Sequence, residues 1–553
     1  MPFHDYEKYF PFDKIRKEQR DAIEFAIDAY ESGKKYVLLE MGTGCGKSAT
    51  GITIARYMEQ HGKKTFGEDN MPLTGAYVLT TQKLLQQQYL DDFGPGVGRG
   101  KNLLLSIKSA NNYKCGFYDD QTCAESRRIL SQLGKKINGT EFQKHCKGGV
   151  CPYSIDKQSF IDSPISITNF SYFFAETIYG GKLTPRSFLI IDECHNVENE
   201  LGKFIEITFS EKFAKDVLRC KMPALNNQEN IFDWVCNGYL SSLKKHIKKL
   251  EKTIKTKFSD DIETFGDISK QYELLDKHVC KIDRFITSYD PNNWVVNVIK
   301  PTAGKRGMRK FEFKPVDVSK YSNENLYKFG GRVLLMSATV IDKNVFCSTV
   351  GLDPNEVAYL RIPSPFSVEK RPIHYIPAGS MSMKNIDKTL PSLTEAVRMI
   401  IEQHPNDKGI IHCVSFRVAQ HLIENINSPR LITHNSENRD QVLQTHITGD
   451  KPTIILSPSM MEGVDLADDA SRFQILCKVP FPYLGDEVVK KRMEKNKIWY
   501  SYQTIRSIVQ AMGRSIRNEN DYAISYILDS DWERLYSMNC TMFPKEFSSS
   551  IKT

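Results

Sequence analysis

At 553 residues, 40% hydrophobic and 26% charged, the chain is too long for one core and reads as a globular protein of roughly three or four domains. No apolar run approaches the ~18 residues that span a bilayer, and Met1 to Phe12 lacks the basic-then-apolar layout of an export signal, so a cytoplasmic or nuclear protein without membrane contact is expected. A net charge of +8 permits a polyanionic partner without demanding one, and thirteen scattered cysteines fit a reducing compartment, where clustered cysteines point to metal rather than disulfides.

In chain order, the first informative element is a β-prone run, Tyr36 to Leu39. It leads into a glycine-rich loop, Glu40-Met41-Gly42-Thr43-Gly44-Cys45-Gly46-Lys47-Ser48, and then a helical pattern from Lys47 towards Met58. Strand, loop and helix in this order form a phosphate cradle. Backbone N–H groups surround the phosphates, Lys47 neutralises the β/γ charge, and the Ser48 hydroxyl ligates Mg²⁺. Met41 stands where the strict pattern has glycine.

Four cysteines follow, Cys115, Cys123, Cys146 and Cys151, separated by seven, twenty-two and four residues. Four thiolates suit an iron–sulfur cluster or a structural zinc site, and unliganded cysteines are a third reading. Zinc sites usually show two short pairings, whereas only Cys146 and Cys151 are close here. Next, the buried-strand run Ser187 to Ile191 ends in Asp192-Glu193-Cys194-His195. One carboxylate at a strand's end can hold the water shell of Mg²⁺, and the next can orient an attacking water. His195 would then report nucleotide state to a second domain. The plain alternative is an acidic strand end, and the loop upstream argues against it.

From about 199 to 329 the pattern turns helical and lysine-rich. Lys244 to Lys257 holds seven lysines against Glu251, while Leu243, Ile247, Leu250 and Ile254 form one apolar stripe. A solvated face accounts for these lysines as well as a DNA-facing one does. Arg332 to Thr339 is a hydrophobic strand ending in Ser337-Ala338-Thr339. A strand from Thr453 to Leu456 precedes Glu462-Gly463-Val464-Asp465, and Gln510 to Arg517 places Arg514 and Arg517 three apart on one helix face. Guanidinium groups reaching across a cleft to a γ-phosphate act as arginine fingers.

Taken in this order, the motifs resemble the XPD/DinG group of superfamily 2 DNA helicases, which carry an iron–sulfur domain, from about Arg16 to Asp529. Arg16-Lys17-Glu18-Gln19 resembles the group's adenine-reading Q motif, and Glu40-Met41 matches XPD-type sequences, where methionine also stands before the loop. Asn112-Tyr113-Lys114-Cys115 and Cys151-Pro152-Tyr153 resemble the surroundings of the first and last cluster cysteines. Pro164 to Asn169 is similar to the strand leading back to the motor, Ser337-Ala338-Thr339 to motif III, and Glu462 to Asp465 to motif V. Cys194 departs from the group, which usually has alanine there, and Cys45 occupies a variable position.

The resemblance implies an α/β fold: two RecA-like parallel-sheet motor domains, with an iron–sulfur insertion and a helical arch insertion in the first. The expected boundaries are 1–198 for motor domain 1, with the cysteine insertion near 102–160, then 199–329 for the arch. The chain returns to domain 1 over 330–370, and 371–553 forms domain 2. It further implies Mg-ATP held by Arg16, Gln19, Gly42, Thr43, Gly44, Cys45, Gly46, Lys47, Ser48, Asp192, Gly463 and Asp465. Catalysis would fall to Lys47, Asp192, Glu193, His195, Gln510, Arg514 and Arg517, and a [4Fe–4S] cluster to Cys115, Cys123, Cys146 and Cys151.

The implied activity is ATP-driven, 5′→3′ translocation on single-stranded DNA. Single-stranded and forked DNA are the expected partners, met partly through the Thr81 and Gln82 region. Two other readings stay open: an RNA helicase of the Asp-Glu-x-His class, and a nucleic-acid-binding subunit with a vestigial motor. The cysteine insertion argues against the first, and intact Lys47, Asp192, Glu193 and Arg514 against the second. Cys45 and Cys194 read first as two small buried residues of no consequence; only if Cys45 is exposed at the helix start should its thiol pKa fall and its reactivity rise.

Overall fold

A computed structural model describes the chain apart from residues 1–4, 82, 96–103, 117–121, 127–149, 182, 225–226, 257–261, 301–307, 436–437, 459–465, 467, 514–520 and 553. Strand β1 (Tyr36–Met41) is followed by β2 (Ala76–Thr80), β3 (Leu104–Ser106), β4 (Ile165–Asn169) and β5 (Arg186–Asp192). After an insertion come β9 (Gly330–Ser337) and β10 (Val357–Ile362), which complete a seven-stranded sheet in the order β10-β1-β9-β5-β2-β4-β3. All six pairings are parallel. Continuous apolar runs such as Phe188-Leu189-Ile190-Ile191 suit strands covered on both faces. Val37, Leu39 and Met41 enter one core layer, and Leu38 enters the other.

The insertion between β5 and β9 carries helices Val197–Ile205, Leu240–Thr256 and Ile262–Ser288. It also holds an antiparallel sheet of β6 (Ile207–Ser210), β7 (Trp294–Ile299) and β8 (Lys310–Pro315), ordered β6-β8-β7. The sequence reading of a helical arch did not include this sheet. In Lys310-Phe311-Glu312-Phe313-Lys314 the side chains alternate with period two, Phe311 and Phe313 are fully buried, and the charges point away. Lysine richness had obscured that alternation. In helix Leu240–Thr256, Leu243, Ile247 and Leu250 pack into the insertion's own core, leaving Lys244, Lys245, Lys248, Lys249 and Lys252 exposed.

The chain then builds a second sheet. Its strands are β11 (Ile373–Gly379), β12 (Gly409–His412), β13 (Leu431–Thr433), β14 (Ile454–Ser457), β15 (Phe473–Leu476), β16 (Ile524–Asp529) and β17 (Ile551–Lys552). They pair in the order β13-β14-β12-β15-β16-β11-β17, again all parallel. Two parallel sheets with helical connections give the α/β, RecA-like architecture expected from sequence. Among the described residues no helix is long and apolar enough to cross a membrane.

Candidate functional site

A cavity of about 430 Å³ opens between the two sheets. The first sheet supplies the carboxyl ends of its strands: Gly42, Thr43, Lys47 and Ser48 after β1, Asp192 and Glu193 at β5, Thr339 after β9, and Ser364 and Phe366 after β10. The second sheet faces it differently. Its wall is the amino end of β11 (Arg371, Ile373) and of β16 (Ser525), together with Gln510 near the end of helix Lys497–Met512. The cleft therefore lies outside the strand carboxyl ends of the first sheet alone.

The glycine-rich loop turns through two left-handed residues, Gly44 at φ 83° and Gly46 at φ 74°. Glycine enters that region without a Cβ clash. Gly46 caps helix Lys47–His61, so unpaired N–H groups at the helix start point back into the loop. Met41 needs no such freedom, because it is the last residue of β1 and its side chain lies in the core. Arg16 and Gln19 reach the loop from outside. The Arg16 guanidinium donates to the Gly44 carbonyl, and Gln19 Nε2 to that of Gly46 at 3.4 Å, while Gln19 Oε1 accepts the Arg16 N–H at 3.0 Å. The segment after β10 lies across the loop: a Cβ added at Gly42 would fall 2.5 Å from Ser364 N, and one at Gly44 2.4 Å from the Phe366 ring.

Asp192 is buried where β5 ends. Its Oδ1 accepts the Glu193 N–H at 3.0 Å, and its Oδ2 accepts the Tyr89 hydroxyl at 3.0 Å. Burial, reinforced by the Glu193 charge and opposed by Lys47, pushes the Asp192 carboxyl up to about 6. Glu193 turns through φ 51°.

His195 joins the two halves. Its Nδ1 lies 2.8 Å from Ser337 Oγ and 3.3 Å from Glu193 Oε2, and its Nε2 lies 2.8 Å from Gln510 Nε2 and 2.9 Å from Asn196 Nδ2. Two amide donors at Nε2 place the proton of the neutral ring on Nδ1. Gln510 also donates to Thr339 Oγ1 at 3.0 Å, and Arg506 to the His195 carbonyl at 3.0 Å. Further links cross the cleft. Glu198 receives Arg492 at 2.7 Å and Gln503 at 2.9 Å, and Arg361 pairs with Glu546. Arg361 also lies 3.6 Å from buried Glu40, which accepts the N–H groups of Val340 and Ile341.

Cys45 and Cys194 are small buried residues, and the exposure that a low-pKa thiol at the helix start requires is not met. Cys45 is 1% exposed, its Sγ lies 3.7 Å from the Pro363 carbonyl, and burial pushes the thiol up to about 11 against the pull of Lys47. Buried Cys194 is likewise pushed up. Native iodoacetamide treatment followed by peptide mass mapping is expected to modify exposed Cys280 and Cys540 and to spare Cys45, with or without Mg-ATP. Rapid labelling of Cys45 would contradict this geometry.

Cys115, Cys123 and Cys151 are all buried. A bridge between Lys114 and Thr122 brings the first two onto neighbouring stretches, and Cys123 Sγ lies 3.9 Å from Cys151 Sγ. Cys146 lies outside the described residues, as do Gln82, Gly463, Asp465, Arg514 and Arg517. Thr81 lies on the cavity wall. Nothing in the sequence marked Arg371 or Phe366 on the cavity wall, or Tyr89 behind Asp192, because none belongs to a recognisable motif.

Comparisons with known proteins agree with this layout. A family model described as Helicase C-terminal domain matches residues 397–548, and one described as Type III restriction enzyme, res subunit, matches 13–224. The chain is 21% identical to the ATP-dependent DNA helicase YoaA of Escherichia coli, over 95% of this chain and 92% of that one. It is also 21% identical to a probable ATP-dependent helicase of Methanocaldococcus jannaschii, over 96% and 94%. Among solved structures, one titled XPD_Helicase superposes with a TM-score of 0.62 at 15% identity, covering 96% of this chain and 99% of that one. S. tokodaii Xpd4 gives a TM-score of 0.55 at 16% identity, covering 97% and 99%.

Proposed function

We propose that this chain, an XPD/DinG-type superfamily 2 helicase, is an ATP-dependent enzyme that translocates 5′→3′ on single-stranded DNA and opens forked duplexes. The observation that carries the proposal is the single cavity on which Lys47, Ser48, Asp192 and Glu193 of one sheet and Gln510 of the other converge. Lys47 would neutralise the β/γ-phosphates and the loop N–H groups would cradle them, while Arg16 and Gln19 brace the loop and meet the adenine. Ser48 and Asp192 would hold Mg²⁺, which supplies charge neutralisation of the phosphates when bound. Glu193 would orient the attacking water. Gly463 and Asp465 would complete the nucleotide site from the second sheet, and Arg514 and Arg517, just beyond Gln510 in sequence, would serve as arginine fingers. His195, hydrogen-bonded to Gln510 and to Ser337, supports transmission of nucleotide state from one half to the other.

Among the described residues no three His, Cys, Asp or Glu side chains gather as a metal site. Buried Cys123 and Cys151 stand 3.9 Å apart with buried Cys115 on a neighbouring stretch, and with Cys146 these would hold the [4Fe–4S] cluster. When bound, it would staple an insertion that has little core of its own. The 3.9 Å sulfur separation also favours a second reading. A tetrahedral zinc with bonds of about 2.3 Å sets its sulfurs about 3.8 Å apart.

The exposed lysines of helix Leu240–Thr256 would meet DNA phosphates. Replacing Lys245, Lys248 and Lys252 with glutamine is expected to weaken single-strand binding and flatten its salt dependence by up to ~0.7 per lost contact. The apolar stripe that seats the helix is untouched, so folding should hold. An unchanged slope would assign these lysines to a plain solvated face. Comparing ATPase stimulation by single-stranded DNA and by RNA tests the function itself. Stimulation by DNA is expected. Stimulation by RNA alone would favour an RNA helicase, and no turnover with either would favour a vestigial motor.

A further inference from the structure

Helix Lys83–Phe93 belongs to neither motif of the phosphate site, yet its Tyr89 reaches that site. The ring is 3% exposed and packs edge-on against Phe93 with centroids 5.7 Å apart. Its hydroxyl donates to Asp192 Oδ2 at 3.0 Å. A buried tyrosine hydroxyl needs a partner, but any core carbonyl would serve. Here the partner is a carboxylate assigned above to the nucleotide's divalent cation. Each Asp192 oxygen thus takes one protein donor, Glu193 N–H at Oδ1 and Tyr89 at Oδ2, and keeps a further lone pair.

We propose that Tyr89 is a positioning residue for the divalent cation: its hydroxyl holds the Asp192 carboxylate in the arrangement that Mg²⁺-bound nucleotide requires. The proposal rests on the reading of the cavity as a Mg-ATP site. A donor behind a metal-ligating carboxylate fixes its orientation, and losing such a donor weakens metal affinity about 10- to 100-fold. The effect therefore falls on the cation and not on the nucleotide, whose phosphates are held by the loop and Lys47.

The test is Tyr89→Phe, which keeps the buried ring. Binding of a fluorescent ATP analogue is titrated with Mg²⁺ and repeated in EDTA, alongside thermal melting. The half-saturating Mg²⁺ concentration is expected to rise about tenfold or more, with nucleotide affinity in EDTA held within about twofold. In an Asp192→Asn background, Tyr89→Phe should add nothing to the Mg²⁺ midpoint. An unmoved midpoint would overturn the proposal, as would an equal loss of affinity in EDTA. A lowered melting temperature with an unmoved midpoint would reduce Tyr89 to a packing residue. Wild-type protein whose nucleotide binding ignores Mg²⁺ would instead refute the Mg-ATP reading, and the proposal with it, before any variant is made.

Discussion

Lys47→Ala is expected to lower ATP turnover by about a thousandfold, the scale on which losing a preorganised charge contact to the transition state acts. Lys47 opens the helix behind the glycine loop, so its ammonium is delivered to the cavity wall by a rigid element. Glu193→Gln should act differently. The amide keeps the size of the carboxylate and leaves the loop intact, so ATP still binds. It cannot accept a proton from water, and cleavage should fall by about 10²- to 10⁴-fold. Glutamine also removes the charge 3.3 Å from His195 Nδ1, on the route to Gln510. Single-turnover hydrolysis and equilibrium binding of an ATP analogue separate the two variants. Substantial cleavage by either would mean that the site is wrongly assigned.

The second large effect concerns the cysteines. Anaerobically purified protein is expected to be yellow-brown with about four irons per chain. Cys115→Ser or Cys151→Ser should lose iron, colour and DNA unwinding before ATPase activity. None of the three described thiols lines the ATP cavity, so the chemistry there is not removed directly. The route by which the loss would spread is visible. Cys151 caps helix Pro152–Asp162, and the Arg186 guanidinium holds the far end of that helix through the carbonyls of Phe160 at 3.2 Å and Ser163 at 3.0 Å. Arg186 opens β5, the strand that ends in Asp192. Zinc without iron in the anaerobic sample would replace the cluster with a structural zinc site and leave the ATPase assignments unaffected.

What the sequence made legible depended on local chemistry. The β1–loop–helix unit could be read because glycines at two left-handed positions and a lysine at a helix start leave a trace in consecutive residues. β5 could be read because a run buried on both faces has no reason to end in Asp192-Glu193 unless the acids are used. Arg332 to Ser337 read as a strand, and its return to the first domain followed from the resemblance, whereas its place between β1 and β5 is seen only in the fold. Features made by distant residues left no such trace. Tyr89 is one apolar position of an ordinary helix until the fold brings Asp192, 103 residues later, against its hydroxyl. Phe366 covers Gly44 only because β10 lies beside β1. Whether Cys45 would be exposed could not be read for a related reason. A helix start lowers a thiol's pKa when water reaches it, whereas the segment after β10 buries this one, and the loss of hydration outweighs Lys47.

The central claim is that ATP hydrolysis between the two sheets drives strand separation on DNA. A strand-displacement assay on anaerobically purified protein, with 5′-tailed and 3′-tailed DNA duplexes and Mg-ATP, tests it most directly. The account predicts release from the 5′-tailed duplex, dependent on ATP and lost in Lys47→Ala. Displacement of neither duplex by protein that hydrolyses ATP in the presence of DNA would contradict it.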